Sequence, residues 1–242
     1  MTSPRRPGHP RLRDLVPWRR GAHLPAGQRE LRVFPRFSDQ PLRRPPRLPG
    51  APVIVVAGAV ERELRLPLGE VTRREQRTEM VADFHCVTTW STCGLRWEGV
   101  SFSSFWHDVV VPQCAPAADA RCIVVEGIDG ARAVLLLVDA LAPDVMLADR
   151  LDGRPLDIAH GAPLRLVSPQ QYGYKNIKHV HRIEVHVTPP PSTYGPKEHL
   201  RARVALEERH STIAPRVLRP VYRALVPLTA ALSARSLRRG SQ

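Results

Sequence analysis

Two stretches of the chain gather side chains able to hold a metal or an anion. In the first, residues 82–91, a strand-like run delivers His85 and Cys86 into a polar turn containing Thr88, Thr89 and Ser91. A thiolate binds soft metal centres strongly and is the reactive form of cysteine. A free cysteine is also among the most frequently buried residue types, behaving as a small hydrophobe. Residue chemistry alone therefore leaves Cys86 as either an inert core residue or a ligand or nucleophile. In the second stretch, residues 160–180, a short strand sets Arg165 among apolar neighbours. A loop with Gly173 then collects Lys175, Asn176 and Lys178. Fixed cations beside loop amides suit a phosphate or a similar anion, Arg offering a planar fork and Lys a point charge. A strand edge decorated with cations would show the same spacing.

Such groups act only if the fold holds them. The apolar, β-branched run 52–60, bounded by Pro52 and broken by Gly58, predicts a buried strand. Further strands are predicted over 80–87, 121–126, 131–138, 164–167 and 177–187. Residues 103–111 predict a short helix capped by Ser103 or Ser104. Asp152 and Gly153 predict a hairpin turn, because both tolerate positive φ. Residues 196–209 and 214–235 predict two helices, the second bent or divided by Pro215, Pro220 and Pro227. The fold class is α+β: a β-rich, mixed-sheet or barrel-like body with short helices and a helical C-terminal extension. The chain divides into a Pro- and Arg-rich leader over 1–50, extended or partly disordered, a body over 51–195, and a basic extension over 196–242.

At 242 residues, with 43% hydrophobic and 24% charged side chains, the chain can bury one sizeable core. A disulfide-stapled miniprotein and wholesale disorder are excluded. The net charge of +13 is uneven: +9 in residues 1–50, −3 in 51–196 and +7 in 197–242. Only three lysines stand beside 33 arginines, so a compositional bias explains the basic ends as readily as a polyanion does. The ends lack the interleaved aromatics of nucleic-acid surfaces, and no nucleic-acid partner is expected. A peripheral membrane contact through the basic C-terminus remains open. The Arg-rich start is broken by prolines with no apolar run behind it, and residues 217–233 are interrupted by Arg and Pro. The expected location is cytoplasmic or membrane-peripheral. Cys86, Cys93, Cys114 and Cys122 form no C-x-x-C pair and are expected to be reduced thiols.

Order and wording of the two stretches resemble the molybdopterin-dependent oxidoreductases of the sulfite oxidase family, short bacterial type. Residues 84–91 followed by 95–100 resemble the family's molybdenum-cysteine loop, and residues 144–156 resemble its next hairpin. Residues 160–165 and 172–178 are similar to the paired segments that hold the pterin and its phosphate. The resemblance implies a molybdenum-molybdopterin cofactor, with Cys86 as the metal thiolate and His85 beside it facing substrate. Trp90 either lines the same funnel or packs, and Asp83 orients the loop by accepting backbone hydrogen bonds. His160, Arg165, Asn176, Ile177 through its backbone, Lys178 and, less centrally, Lys175 would hold the pterin and its phosphate. The implied activity is two-electron oxygen-atom transfer on a small S-oxide, N-oxide or oxyanion, with a separate redox partner for the electrons. The residues after Cys86 lack the arginines of animal and plant sulfite oxidases, and His85 stands where the methionine-sulfoxide reductase branch places Arg, so the substrate is left unnamed. The rival reading is a cofactor-free relative acting as a binding module through its basic tails.

Overall fold

The computed structural model describes residues 23–35, 45–72, 75, 77–191 and 198–240. Much of the expected leader, residues 1–22 and 36–44, and residues 192–197 of the interval before the C-terminal extension lie outside the described residues.

The β-branched run after Pro52 forms β2 (Val53–Gly58), whose middle residues are buried on both faces, as its lack of alternation requires. It pairs antiparallel with β3 (Leu64–Pro67) and parallel with β11 (Val180–His186). Beyond β11 lie β6 (Cys122–Gly127) and β7 (Arg132–Leu136), completing a five-stranded sheet in the order β3-β2-β11-β6-β7. The other sheet is built on β5 (Trp90–Ser101), the longest strand, which pairs with β4 (Arg77–His85), β8 (Met146–Leu151) and the two-residue β1 (Arg29–Glu30). β9 (Arg154–Pro155) and β10 (Arg165–Val167) both pair with β8. Ile54, Val56, Ile183 and Val185 of one sheet and Val100, Leu147 and Leu166 of the other share one apolar cluster, so the core lies between the sheets. Among the described residues the strands make two open sheets, and the barrel-like form of the expected body is corrected to that.

Several local expectations shift. The Asp152-Gly153 turn forms with φ of 50° and 78°, as a type I′ hairpin requires. The helix expected over 103–111 begins one residue earlier, behind Ser101, and has three parts: α2 (Phe102–Phe105), a π turn (Trp106–Val110) and α3 (Val111–Cys114). α1 (Leu68–Val71) and α4 (Leu137–Ala140) are single turns, the latter replacing the predicted end of the 131–138 strand. Residues 198–209 are not helical. Arg203 pairs there with Glu208, and Gln171 makes a bridge to Arg203, so side-chain pairs and short turns replace the helix ladder. By contrast α5 (Pro215–Gly240) runs unbroken through Pro220 and Pro227.

β5 depends on one close approach. A Cβ at Gly99 would fall 2.1 Å from Leu147 O and 2.7 Å from Ala148 Cα, both backbone atoms of β8 that cannot yield cheaply. Gly99→Ala is expected to lower unfolding free energy by about 3 kcal/mol or more, as overpacking against backbone does. Denaturant titration checks it, and an unchanged midpoint would contradict the register.

Candidate active site

β4 delivers His85 and Cys86 to the start of a tight turn that β5 leaves at Trp90. Cys86 N–H donates to Trp90 O at 2.8 Å, and Thr89, at φ 75°, closes the turn by donating to Cys86 O at 3.2 Å. The Cys86 thiol is 3.1 Å from Thr88 Oγ1 and only 7% exposed. Burial pushes the thiol up; the Thr88 hydroxyl and the charges of Arg209 and Lys178 pull it back toward the thiolate. Cys86 packs with Leu31, Trp90 and Val226, so the N-terminal segment and α5 both cover it.

A buried polar chain lies under the turn. Gln28 Nε2 donates to Cys86 O at 3.1 Å, Ser91 Oγ donates to Gln28 Oε1 at 3.2 Å, and His85 Nδ1 lies 2.8 Å from Ser91 Oγ. His85 is thus beside Cys86 as expected, yet buried, and its imidazole is held neutral mainly by desolvation. Asp83 does accept a backbone hydrogen bond, but from Gly94 N across the β4–β5 pair and not from the cysteine turn.

Arg165 is wholly buried and forms no ion pair among the described residues. It donates through Nη1 to His160 O at 2.8 Å and through Nη2 to Asn176 O at 3.3 Å, with Nε 3.5 Å from Leu166 O. Its guanidinium carbon sits 4.9 Å from the Trp97 ring centroid and under 6 Å from those of Phe84 and Phe34. Burial without a carboxylate drives its pKa down to about 9, which leaves it charged at neutral pH. Phe34 and Phe84 also pack against the Cys86 cluster, so these two rings join the cysteine to the arginine. Phe34 stacks on His160 at 4.9 Å and its carbonyl accepts from His160 Nε2 at 2.9 Å. Gly161, at φ 112°, lets this turn lie against Arg165 and Lys178, whose Cβ atoms would both be 3.1 Å from an added Cβ. Lys178 Nζ donates to Ala159 O at 2.7 Å.

Three further residues expected at the cofactor make bonds within the fold. Lys175 is wholly buried in an ion pair with Glu198 and donates to Val134 O at 2.7 Å, so its ammonium is held inside the fold. Asn176 uses its side chain to tie the loop, accepting from Ser168 N at 2.7 Å and donating to Ser168 O at 3.2 Å. Ile177 donates its amide to Lys175 O at 3.1 Å and accepts from Leu166 N at 2.8 Å. Gly173, read as part of an anion loop, instead makes room for the Phe84 ring, which an added Cβ would approach to 2.4 Å.

Sequence reasoning missed Gln28, Phe34 and Arg209. Arg209 is wholly buried, donates to Val87 O at 2.6 Å and Ala26 O at 3.2 Å, and stacks 4.8 Å from the Tyr172 ring centroid. The acidic pair Glu207-Glu208 inside an otherwise basic tail was its available signal.

Chemically, the arrangement offers one thiol and a set of buried or half-buried cations around it. Among the described residues no three His, Cys, Asp or Glu side chains converge. A metal at Cys86 would therefore take its other ligands from outside such a side-chain cluster. Arg165, a buried cation with spare N–H groups and no carboxylate, fits a bound anionic group.

The profile of the oxidoreductase molybdopterin binding domain matches residues 51–194. The Gluconobacter oxydans protein-methionine-sulfoxide reductase catalytic subunit MsrP is 29% identical over 152 residues, 58% of this chain and 48% of that protein. A Bacillus subtilis oxidoreductase, YuiH, is 32% identical over 129 residues, 53% of this chain and 62% of its own. The chain spans about half the length of the MsrP relatives it matches. The Paracoccus pantotrophus sulfane dehydrogenase SoxCD shares the fold with a TM-score of 0.54 at 20% identity, over 63% of this chain and 43% of that one.

The site also carries a pH signature. His179 donates Nδ1–H to Ala162 O at 2.6 Å, and burial lowers its pKa below 6.5. The unfolded chain then takes the proton first, so stability present above pH 6.5 is lost as pH falls toward the folded value. Below about pH 6.5 the unfolding free energy is expected to fall by up to about 1.4 kcal/mol per unit for this group. His179→Asn, which keeps a donor, should reduce the slope in denaturant titrations; an unchanged slope would contradict the burial of a neutral ring.

Proposed function

The chain belongs to the oxidoreductase molybdopterin binding domain family, and on that premise we propose that it is an oxygen-atom-transfer enzyme whose Cys86 thiolate binds molybdenum. The observation that carries this reading is a buried thiol under the pull of Lys178 and Arg209, joined through shared rings to a buried arginine that has no carboxylate partner among the described residues. All three groups that would face the cofactor, Cys86, Arg165 and Lys178, lie inside the matched segment.

When bound, the molybdenum-molybdopterin group supplies the two-electron redox change that oxygen-atom transfer needs. The chain's own residues bind, orient and shield it. Cys86 must lose its proton to become a ligand, and the neighbouring cations lower the cost of that loss. Arg165 and Lys178 balance anionic charge on the organic group, and His160, fixed between Asp157 and Phe34 O, sets the edge of its pocket. Gln28, Ser91 and His85 hold the backbone on either side of the cysteine, which is a positioning task. Leu31, Trp90 and Val226 keep water from the thiol. Substrate is a small molecule, and S-oxides are the first class to test because several relatives are named for methionine-sulfoxide reduction. Electrons pass to or from a separate redox partner.

Cys86→Ser is expected to leave folding and pterin content largely intact while turnover of methionine sulfoxide, with an artificial electron donor, falls at least about a hundredfold, or about 2.7 kcal/mol of barrier. Full activity in the serine variant would sink the assignment. In the same preparations Lys178→Gln should lower the pterin recovered per chain at equal expression.

A further inference from the structure

Among its described side chains, α5 meets the body along one face. Val226 is wholly buried against Leu31, Cys86 and Trp90, Arg219 pairs with Glu207, and Arg223 donates to Gly27 O at 3.3 Å. On the other face Val217, Val221 and Leu225 are 57%, 54% and 47% exposed. Their four-residue spacing lines them into one stripe. Ile213, just before the helix, is 40% exposed. An amphipathic helix on a protein surface normally turns its apolar side inward, and here the solvent side carries the valines.

The charge around this stripe narrows what can cover it. From residue 211 to the end the sequence holds six arginines and no acid. A second copy seated on the stripe would bring two wholly cationic helices together. A nucleic acid would match the arginines and leave the valines in water. An anionic phospholipid surface meets both needs, taking the apolar side chains at the acyl boundary and, at the headgroup phosphates, the arginines other than the body-bound Arg219 and Arg223. No helix among the described residues is long and apolar enough to cross a membrane, and Pro220 and Pro227 lie within this one, so it would lie along the surface.

We propose that α5 docks the protein on an anionic phospholipid surface through the Val217–Val221–Leu225 stripe and its arginines. The opposite face of the helix then holds the Cys86 turn about one helix diameter, ~10 Å, from the bilayer. The proposal rests on the surface of α5 and is independent of the cofactor reading.

The test is co-sedimentation of the full chain with vesicles of phosphatidylcholine alone or of equal parts phosphatidylcholine and phosphatidylglycerol. Wild type is expected to partition at least about tenfold more strongly onto the anionic vesicles and to be released by salt. The Val217→Asp/Val221→Asp variant should lose that binding with unchanged circular dichroism, since both side chains are exposed. Arg235→Gln/Arg238→Gln/Arg239→Gln should weaken it by roughly a hundredfold, about fivefold per arginine. Equal partition onto both vesicle types, or variants that sediment as wild type does, would overturn the proposal. So would light scattering that shows a lipid-free dimer split by the aspartates, which assigns the stripe to a second copy. Binding to duplex DNA that exceeds vesicle binding and ignores the aspartates would assign the arginines to nucleic acid and overturn it as well.

Discussion

A guanidinium with no carboxylate partner among the described residues is buried in this fold, and the elements around it are arranged to tolerate the charge. Moving an ion from water into a protein interior costs several kcal/mol after relaxation unless dipoles and polarisable faces replace the water. Arg165 has backbone carbonyls from two separate turns and the rings of Trp97, Phe84 and Phe34. Each compensating group fixes an element: Trp97 belongs to β5, Phe84 to β4, and Asn176 to the loop that leads into β11. The turn carrying His160 can reach Arg165 because Gly161 has no side chain. The residual cost is what an anionic group beside the arginine would offset, so the same burial that strains the fold prepares the site.

The second organising feature is the clamp of both chain ends on the cysteine turn. Arg209 holds Val87 O and Ala26 O at once, and its partner Glu207 also takes Arg219 of α5. Gln28 reaches Cys86 O from the N-terminal segment. These residues lie outside the segment that matches the family profile, 51–194. The turn is thus formed inside the matched body and locked from outside it, which makes its rigidity a property of the whole chain and ties α5, whose far side is apolar, to the thiol.

Much of the body could be read from local pattern. The β-branched run of β2 and the Asp152-Gly153 hairpin carry their own physical signal, and the Cys86 and Arg165 stretches were legible as chemistry before any contact was known. What escaped depends on distant partners. β5 opens with Thr-, Ser- and Gly-containing residues that look like a polar turn, and it becomes a strand because β4, β8 and β1 all pair with it. Lys175 resembles Lys178 in the sequence, and only the position of Glu198 sends it into the core. Residues 198–209 have helical composition, but their acids and arginines pair with one another and close turns instead.

Cys86 and the cations around it are proposed to hold a molybdenum-bearing pterin. Protein purified from a host that makes molybdopterin should contain about one molybdenum and one pterin per chain, the latter read as fluorescence of the released, oxidised pterin. Molybdenum and pterin both absent, from a host in which another member of the family loads normally, would contradict the account and leave the fold as a scaffold for some other task.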